Sequence, residues 1–76
     1  MKWISEYKPY PGSSFIIETD VFYDSNLQNP TTHYRFYGIP GNDDEKIDTM
    51  QDTLHFAKDD ALEYFGVPMN SWVQVE

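Results

Sequence analysis

At 76 residues and a formal net charge of −8, from 13 Asp and Glu against five Lys and Arg, the chain has room for one domain whose surface repels nucleic acid and anionic membranes. It has no Cys, which excludes a disulfide framework, a thiolate metal site and a cysteine nucleophile. Aromatic residues make up 17% of the chain, enough for a folded core although Leu, Ile and Val are sparse.

The first ten residues carry Trp3, Ile4, Tyr7 and Tyr10, which suits a short strand or an arm packed across a sheet. Glu6 and Pro9 stand where a signal peptide needs an apolar run, and nowhere do 18 apolar residues follow one another, so a cytoplasmic location is expected. Pro9, Pro11 and Gly12 break the first segment. From Ser14 to Tyr23, Phe15, Ile17, Val21 and Tyr23 recur with period two while Glu18, Asp20 and Asp24 take the other face, the signature of a half-buried strand. Asp24 to Pro30 reads as a loop. Thr31 to Tyr37 reads as a second strand with Tyr34 and Phe36 on one face and His33, Arg35 and Tyr37 on the other, Arg35 facing Glu18 or Asp20 across the pair.

Gly38, Pro40 and Gly41 are expected to end that strand. Asn42 with Glu45 three residues on resembles a helix-starting capping pair, and Asp48 and Asp52 offer later starts. Ile47, Met50, Leu54, Ala57, Ala61 and Phe65 then follow steps of three and four, one buried helical stripe. Gly66 supplies a left-handed cap, Val67 its apolar contact, and Pro68 forbids continuation. Ser71 to Val75 reads as a last strand. The expectation is one α+β domain over residues 1–76: a small antiparallel sheet of three to four strands in β-β-α-β order, with an extra N-terminal strand as an option, packed on one long amphipathic helix.

Chemistry is sparsely signalled. His55 and Asp59 share a helix face with Asp52, yet no second His falls at helical spacing to complete a metal set. Asn42 to Asp52 is rich in oxygen ligands but lacks the Gly at the sixth position and the Glu at the twelfth that a calcium loop needs. Ser13, Ser14 and Ser71 have no glycine elbow or adjacent His, and Asp59 and Asp60 are neighbours rather than carboxylates facing across a cleft. No enzymatic activity, cofactor or metal is expected.

One arrangement does stand out. On a helix running through this segment, the side opposite the apolar stripe collects Glu45, Asp48, Asp52, Asp59, Asp60 and Glu63 around Phe56. None of these acids has a Lys or Arg at i+4, and the last three lie where the helix dipole disfavours negative charge. From Asp48 to Glu63 such a helix spans about 22 Å, with carboxylates four residues apart at about 6 Å, of the order of the phosphate spacing on a nucleic-acid strand. The expected partner is a basic protein, of the kind that grips nucleic acid, with Phe56 as apolar anchor and the acids as rim. In size, charge and simplicity the chain resembles nuclease immunity proteins and phage-encoded inhibitors, a resemblance of kind that no motif carries. A covering of Phe56 by Trp3 or Tyr7 would remove the reading. Two other readings compete: a homo-oligomer or assembly subunit joined through Phe56, Tyr37 and Phe22 or through free strand edges, and a small-ligand or enzymatic module with Arg35 as an anion clamp beside His33 and Tyr37.

Overall fold

A computed structural model describes residues 1–23 and 30–76, so the loop expected at Asp24–Pro30 lies, apart from Pro30, outside the described residues. Five strands form one antiparallel sheet: β1 (Lys2–Ser5), β2 (Ser14–Phe22), β3 (Thr31–Ile39), β4 (Ile47–Gln51) and β5 (Trp72–Gln74), in the spatial order β4-β3-β2-β1-β5. One helix, α1 (Leu54–Phe65), and a short 3₁₀ turn (Met69–Ser71) complete the fold. No helix among the described residues is long and apolar enough to cross a membrane.

The α+β class agrees with the sequence reading, but the strand count and order do not. The segment Ile47–Gln51, expected to open the helix, is a fourth strand beside β3, with Tyr37 opposite Asp48 and Phe36 opposite Thr49. Asn42, expected as a helix cap, instead follows Gly41 into the left-handed region at φ 54°, and Asp43 joins it at φ 60°. That run turns the chain back on β3, and no helix can start there. Gly38, expected to end β3, lies inside it. The N-terminal segment settles as an inner strand between β2 and β5, with Trp3 opposite Ile17 on one side and Gln74 on the other.

The helix begins where its true cap stands. Thr53 is extended, and its Oγ1 accepts a hydrogen bond from the Phe56 amide at 3.1 Å, in place of the expected Asp48 or Asp52. Its end follows the sequence: Gly66 turns left-handed at φ 71°, its amide reaching Leu62 O, while the Val67 amide reaches Ala61 O. Leu54, Ala57, Ala61 and Phe65 face the sheet, and the two fully buried alanines let the helix lie close over β3, β4 and β2. Beneath it Phe15, Ile17 and Phe36 are fully buried, joined by Trp3 and Val67, with Phe65 5.3 Å from Phe15 and 6.1 Å from Phe36 between ring centres.

Two serines weighed above as nucleophiles are structural. Ser13 Oγ accepts from the Tyr10 amide and donates to Pro40 O at 2.6 Å. Ser71 Oγ donates to Pro68 O, so Ser5 Oγ donates to Ser71 and accepts from the Tyr7 amide, a relay that ties β1 to the 3₁₀ turn.

Candidate partner-binding surface

Helix phase decides which of the seven expected contact residues stand together. With α1 confined to Leu54–Phe65, only Phe56, Asp59, Asp60 and Glu63 belong to it; Glu45 lies in the β3–β4 turn, Asp48 on β4, and Asp52 just before the cap. The continuous acidic ridge of about 22 Å therefore does not exist, because a strand interrupts it.

At about 100° per residue, Asp59, Glu63 and Phe56 fall opposite the buried stripe of Ala57 and Ala61. Phe56 is 52% exposed. The N-terminal arm does not reach it: Trp3 packs against Tyr34 at 5.9 Å within the core, and Tyr7 stacks on Phe15 at 6.1 Å. The ring nearest to Phe56 is that of His55, 6.2 Å away.

Asp60 departs from the expected surface. Its Oδ2 accepts hydrogen bonds from Thr49 Oγ1 and Gln51 Nε2, both at 2.8 Å, and so fastens the helix to the edge strand. Sequence steps of three and four placed it with the acids, but the β4 donors that claim it were read as helix. Asp60→Ala is expected to cost about 1–2 kcal/mol of stability, seen as a lower urea midpoint with an unchanged slope.

Several acids read as unmatched have partners supplied by the fold. Asp48 Oδ1 lies 3.8 Å from Arg35 Nε, Asp52 Oδ1 3.3 Å from His33 Nδ1, and Asp59 Oδ2 3.4 Å from His55 Nε2, one turn back on the helix. Glu45 and Glu63 have no ion pair among the described residues. Asp43 and Asp44, both exposed in the β3–β4 turn, adjoin Glu45 and were not singled out from the sequence. Their signal was plain enough, three consecutive acids after a Gly-Asn pair, but it was spent on the helix start.

Arg35 is not a free anion clamp. Opposite Glu18 in register, it donates from Nη1 to Tyr37 Oη at 2.8 Å and brings Nε within 3.3 Å of Asp20 Oδ2. Nε itself has no hydrogen-bond partner among the described residues, so the Asp20 contact is ionic. The Tyr37 hydrogen bond first, and then the negative charge of Asp20 and Asp48, raise the guanidinium pKa above its ordinary value against the opposing effect of desolvation. A cavity of about 250 Å³ opens nearby, but Tyr37, Gly38, Ile39, Lys46, Ile47 and Asp48 line it and Arg35 does not. No group of three or more His, Cys, Asp or Glu among the described residues is placed to hold a metal ion.

From Asp43 to Glu63 the chain carries eight of its 13 acids and only Lys46 and Lys58, leaving −6 of the total −8 on this stretch. That charge is divided among the β3–β4 turn, the outer side of α1 and the open face of the sheet, where Asp48 meets Arg35. Comparison with protein-family models, with curated proteins and with solved structures found no match to this chain.

Proposed function

We propose that the protein is an acidic binding module that docks a basic, nucleic-acid-gripping protein and neutralises it by occupying its cationic surface. The observation that carries this reading is Phe56, a 52% exposed aromatic ring beside Asp59 and Glu63 that the N-terminal arm leaves uncovered. A large apolar side chain kept at the crest of a charged surface suits an interface anchor, where desolvation gives affinity and surrounding charges give orientation. Asp59 and Glu63 stand one turn apart, about 6 Å along the axis, with Asp52 at the helix entrance and Glu45 in the β3–β4 turn, whereas Asp48 points to the opposite face of the sheet with Arg35 and leaves the contact set. The binding surface is thus a patch spread over the turn, the helix entrance and the helix rather than one helix stripe. Asp60 serves the fold and leaves the contact set too.

Their cost to the helix supports the same reading. No acid occupies the first turn of α1, where the dipole favours one, and no base occupies the last. Charge placed against local preference is more common at functional surfaces than elsewhere.

The test is a partner captured at low salt with the intact protein as bait, then titrated against variants. The combination Asp52→Asn, Asp59→Asn and Glu63→Lys is expected to weaken binding about tenfold at 50 mM salt and to flatten its salt dependence, since charge-steered association falls with ionic strength. Double-stranded DNA should compete for the captured protein. Undiminished, salt-independent binding by the folded variant would end the proposal.

A further inference from the structure

The helix covers one face of the sheet and leaves the other open, and that open face is not the polar surface a solvated antiparallel sheet presents. Register places Val73, Ile4, Ile16 and Tyr37 side by side across four neighbouring strands, from β5 through β1 and β2 to β3. Cross-strand neighbours of this kind stand about 5 Å apart, so the four make one continuous apolar band. Ile39 lies on the same face one step along β3, 37% exposed, and the cavity of about 250 Å³ between Tyr37 and Lys46 gives the band a hole at its β4 end.

The charges beside the band differ from those of the rest of the molecule. Lys2, Glu18 and Arg35 form the adjoining row in register, Asp20 and Asp48 flank Arg35, and Lys46 lines the cavity. Three bases against three acids sum to zero, and with Asp52 at the rim the face carries −1, so nearly all of the formal charge of −8 lies off it. Asp52, 85% exposed, stands at its rim against His33. A basic partner gains nothing here. A second copy of the chain does: a nearly neutral face of alternating sign meets its own opposites under a two-fold axis, and most acids of both copies point away.

We infer that this face is a homodimer interface, in which two copies pack sheet to sheet through Ile4, Ile16, Tyr37 and Val73. The inference is independent of the proposed partner contact, whose Phe56, Asp59 and Glu63 stay exposed on the helix side of each copy. Five strands about 4.8 Å apart and three side-chain rows about 6.7 Å apart give a footprint on the order of 500 Å² per copy, at the low end for a specific interface. The dimer is accordingly weak, dissociating in the range of tens of micromolar.

Salt separates this contact from the proposed partner binding by sign. Two copies of charge −8 repel at long range, so added salt tightens the dimer, whereas it loosens a basic partner. Sedimentation equilibrium of the intact protein from 5 µM to 1 mM (roughly the span that brackets such a dimer) should show reversible dimerisation, several-fold stronger at 300 mM than at about 20 mM NaCl. Ile16→Glu, verified as folded by circular dichroism, should be monomeric throughout. Independently of any variant, dilution should shift the amide resonances of Ile4, Ile16, Tyr37 and Val73 together. A protein that stays monomeric at 1 mM and high salt overturns the inference, as does a dimer that survives Ile16→Glu or whose shifts fall on the free edges of β4 and β5 or around Phe56.

Discussion

Phe36→Ala is expected to remove about 3–5 kcal/mol of stability, a large share of what a domain of this size has, because this ring is where the sheet, the helix and the last strand meet. Phe36 is fully buried in the middle of β3, opposite Ile17 on one side and Thr49 on the other. Its ring lies 6.1 Å from Phe65 at the end of α1 and 6.3 Å, edge-on, from Trp72 at the start of β5. Truncating a buried Phe costs about 3–5 kcal/mol, part transfer and part cavity, and the flanking aromatic rings are too stiff to close the gap. A domain of this length has a total stability of about 4–11 kcal/mol. With no Cys, no disulfide shares the load. Urea melts followed by tryptophan fluorescence should show the loss directly. Phe36→Leu, which keeps most of the volume, should cost less than about 1.5 kcal/mol. A loss below that figure for the alanine variant would place the centre of the core elsewhere.

The parts of this fold legible in the sequence are those fixed by local pattern. Phe15 and Ile17 with Glu18 and Asp20 alternating beside them, Tyr34 and Phe36 against Arg35 and Tyr37, and the Gly66–Val67–Pro68 stop all stand as read. Even so, period two said only that Val21 and Tyr23 share a face with Phe15 and Ile17; both are exposed. The failure at Ile47–Gln51 has a physical source. Ile47, Met50 and Leu54 step by three and four, while Ile47, Thr49 and Gln51 step by two, so five residues satisfied both periods. What decided between them is non-local: β3 had a free edge to offer, and the left-handed run from Gly41 to Asp43 aimed the chain along it. The candidate surface inherits that error. Phe56, Asp59 and Glu63 keep their places because they lie within the true helix, whereas Asp48 and Asp52 move to a strand and its exit, and Asp60 turns to β4. The apolar band on the open face was invisible for the same reason, since Ile4, Ile16 and Val73 become neighbours only through register.

Gly38→Ala is the second large effect, and its sign runs against strand propensity. Within a strand, Gly is ordinarily worse than Ala by about 0.5–1 kcal/mol, so the substitution should help wherever space allows. Here it does not. A Cβ at Gly38 would stand 2.2 Å from Phe65 Cε2 and 2.8 Å from Phe36 Cζ, well inside contact distance. Phe65 cannot swing away, since Phe15 holds its ring at 5.3 Å and the Gly66 cap fixes the backbone that follows. Relief requires the end of α1 to lift from the sheet, and overpacking of this kind costs about 1–3 kcal/mol or more. The net expectation is a loss of about 2 kcal/mol, which lowers the melting temperature by roughly 8–16 °C at this chain length. Because the clash is specific, it should be reversible at its source. In a Phe65→Leu background, which removes the nearest clash and leaves only the 2.8 Å approach to Phe36 Cζ, the same Gly38→Ala substitution should cost about 1 kcal/mol less, and a double-mutant cycle reads that difference as the coupling. Equal losses in both backgrounds would mean that the helix does not rest on Gly38 through Phe65. Glu63 lies two residues before Phe65, so any lift of the helix end that accommodates the methyl group also displaces that carboxylate. Partner affinity in Gly38→Ala should therefore fall although no contact residue has changed, and Phe65→Leu should restore part of it.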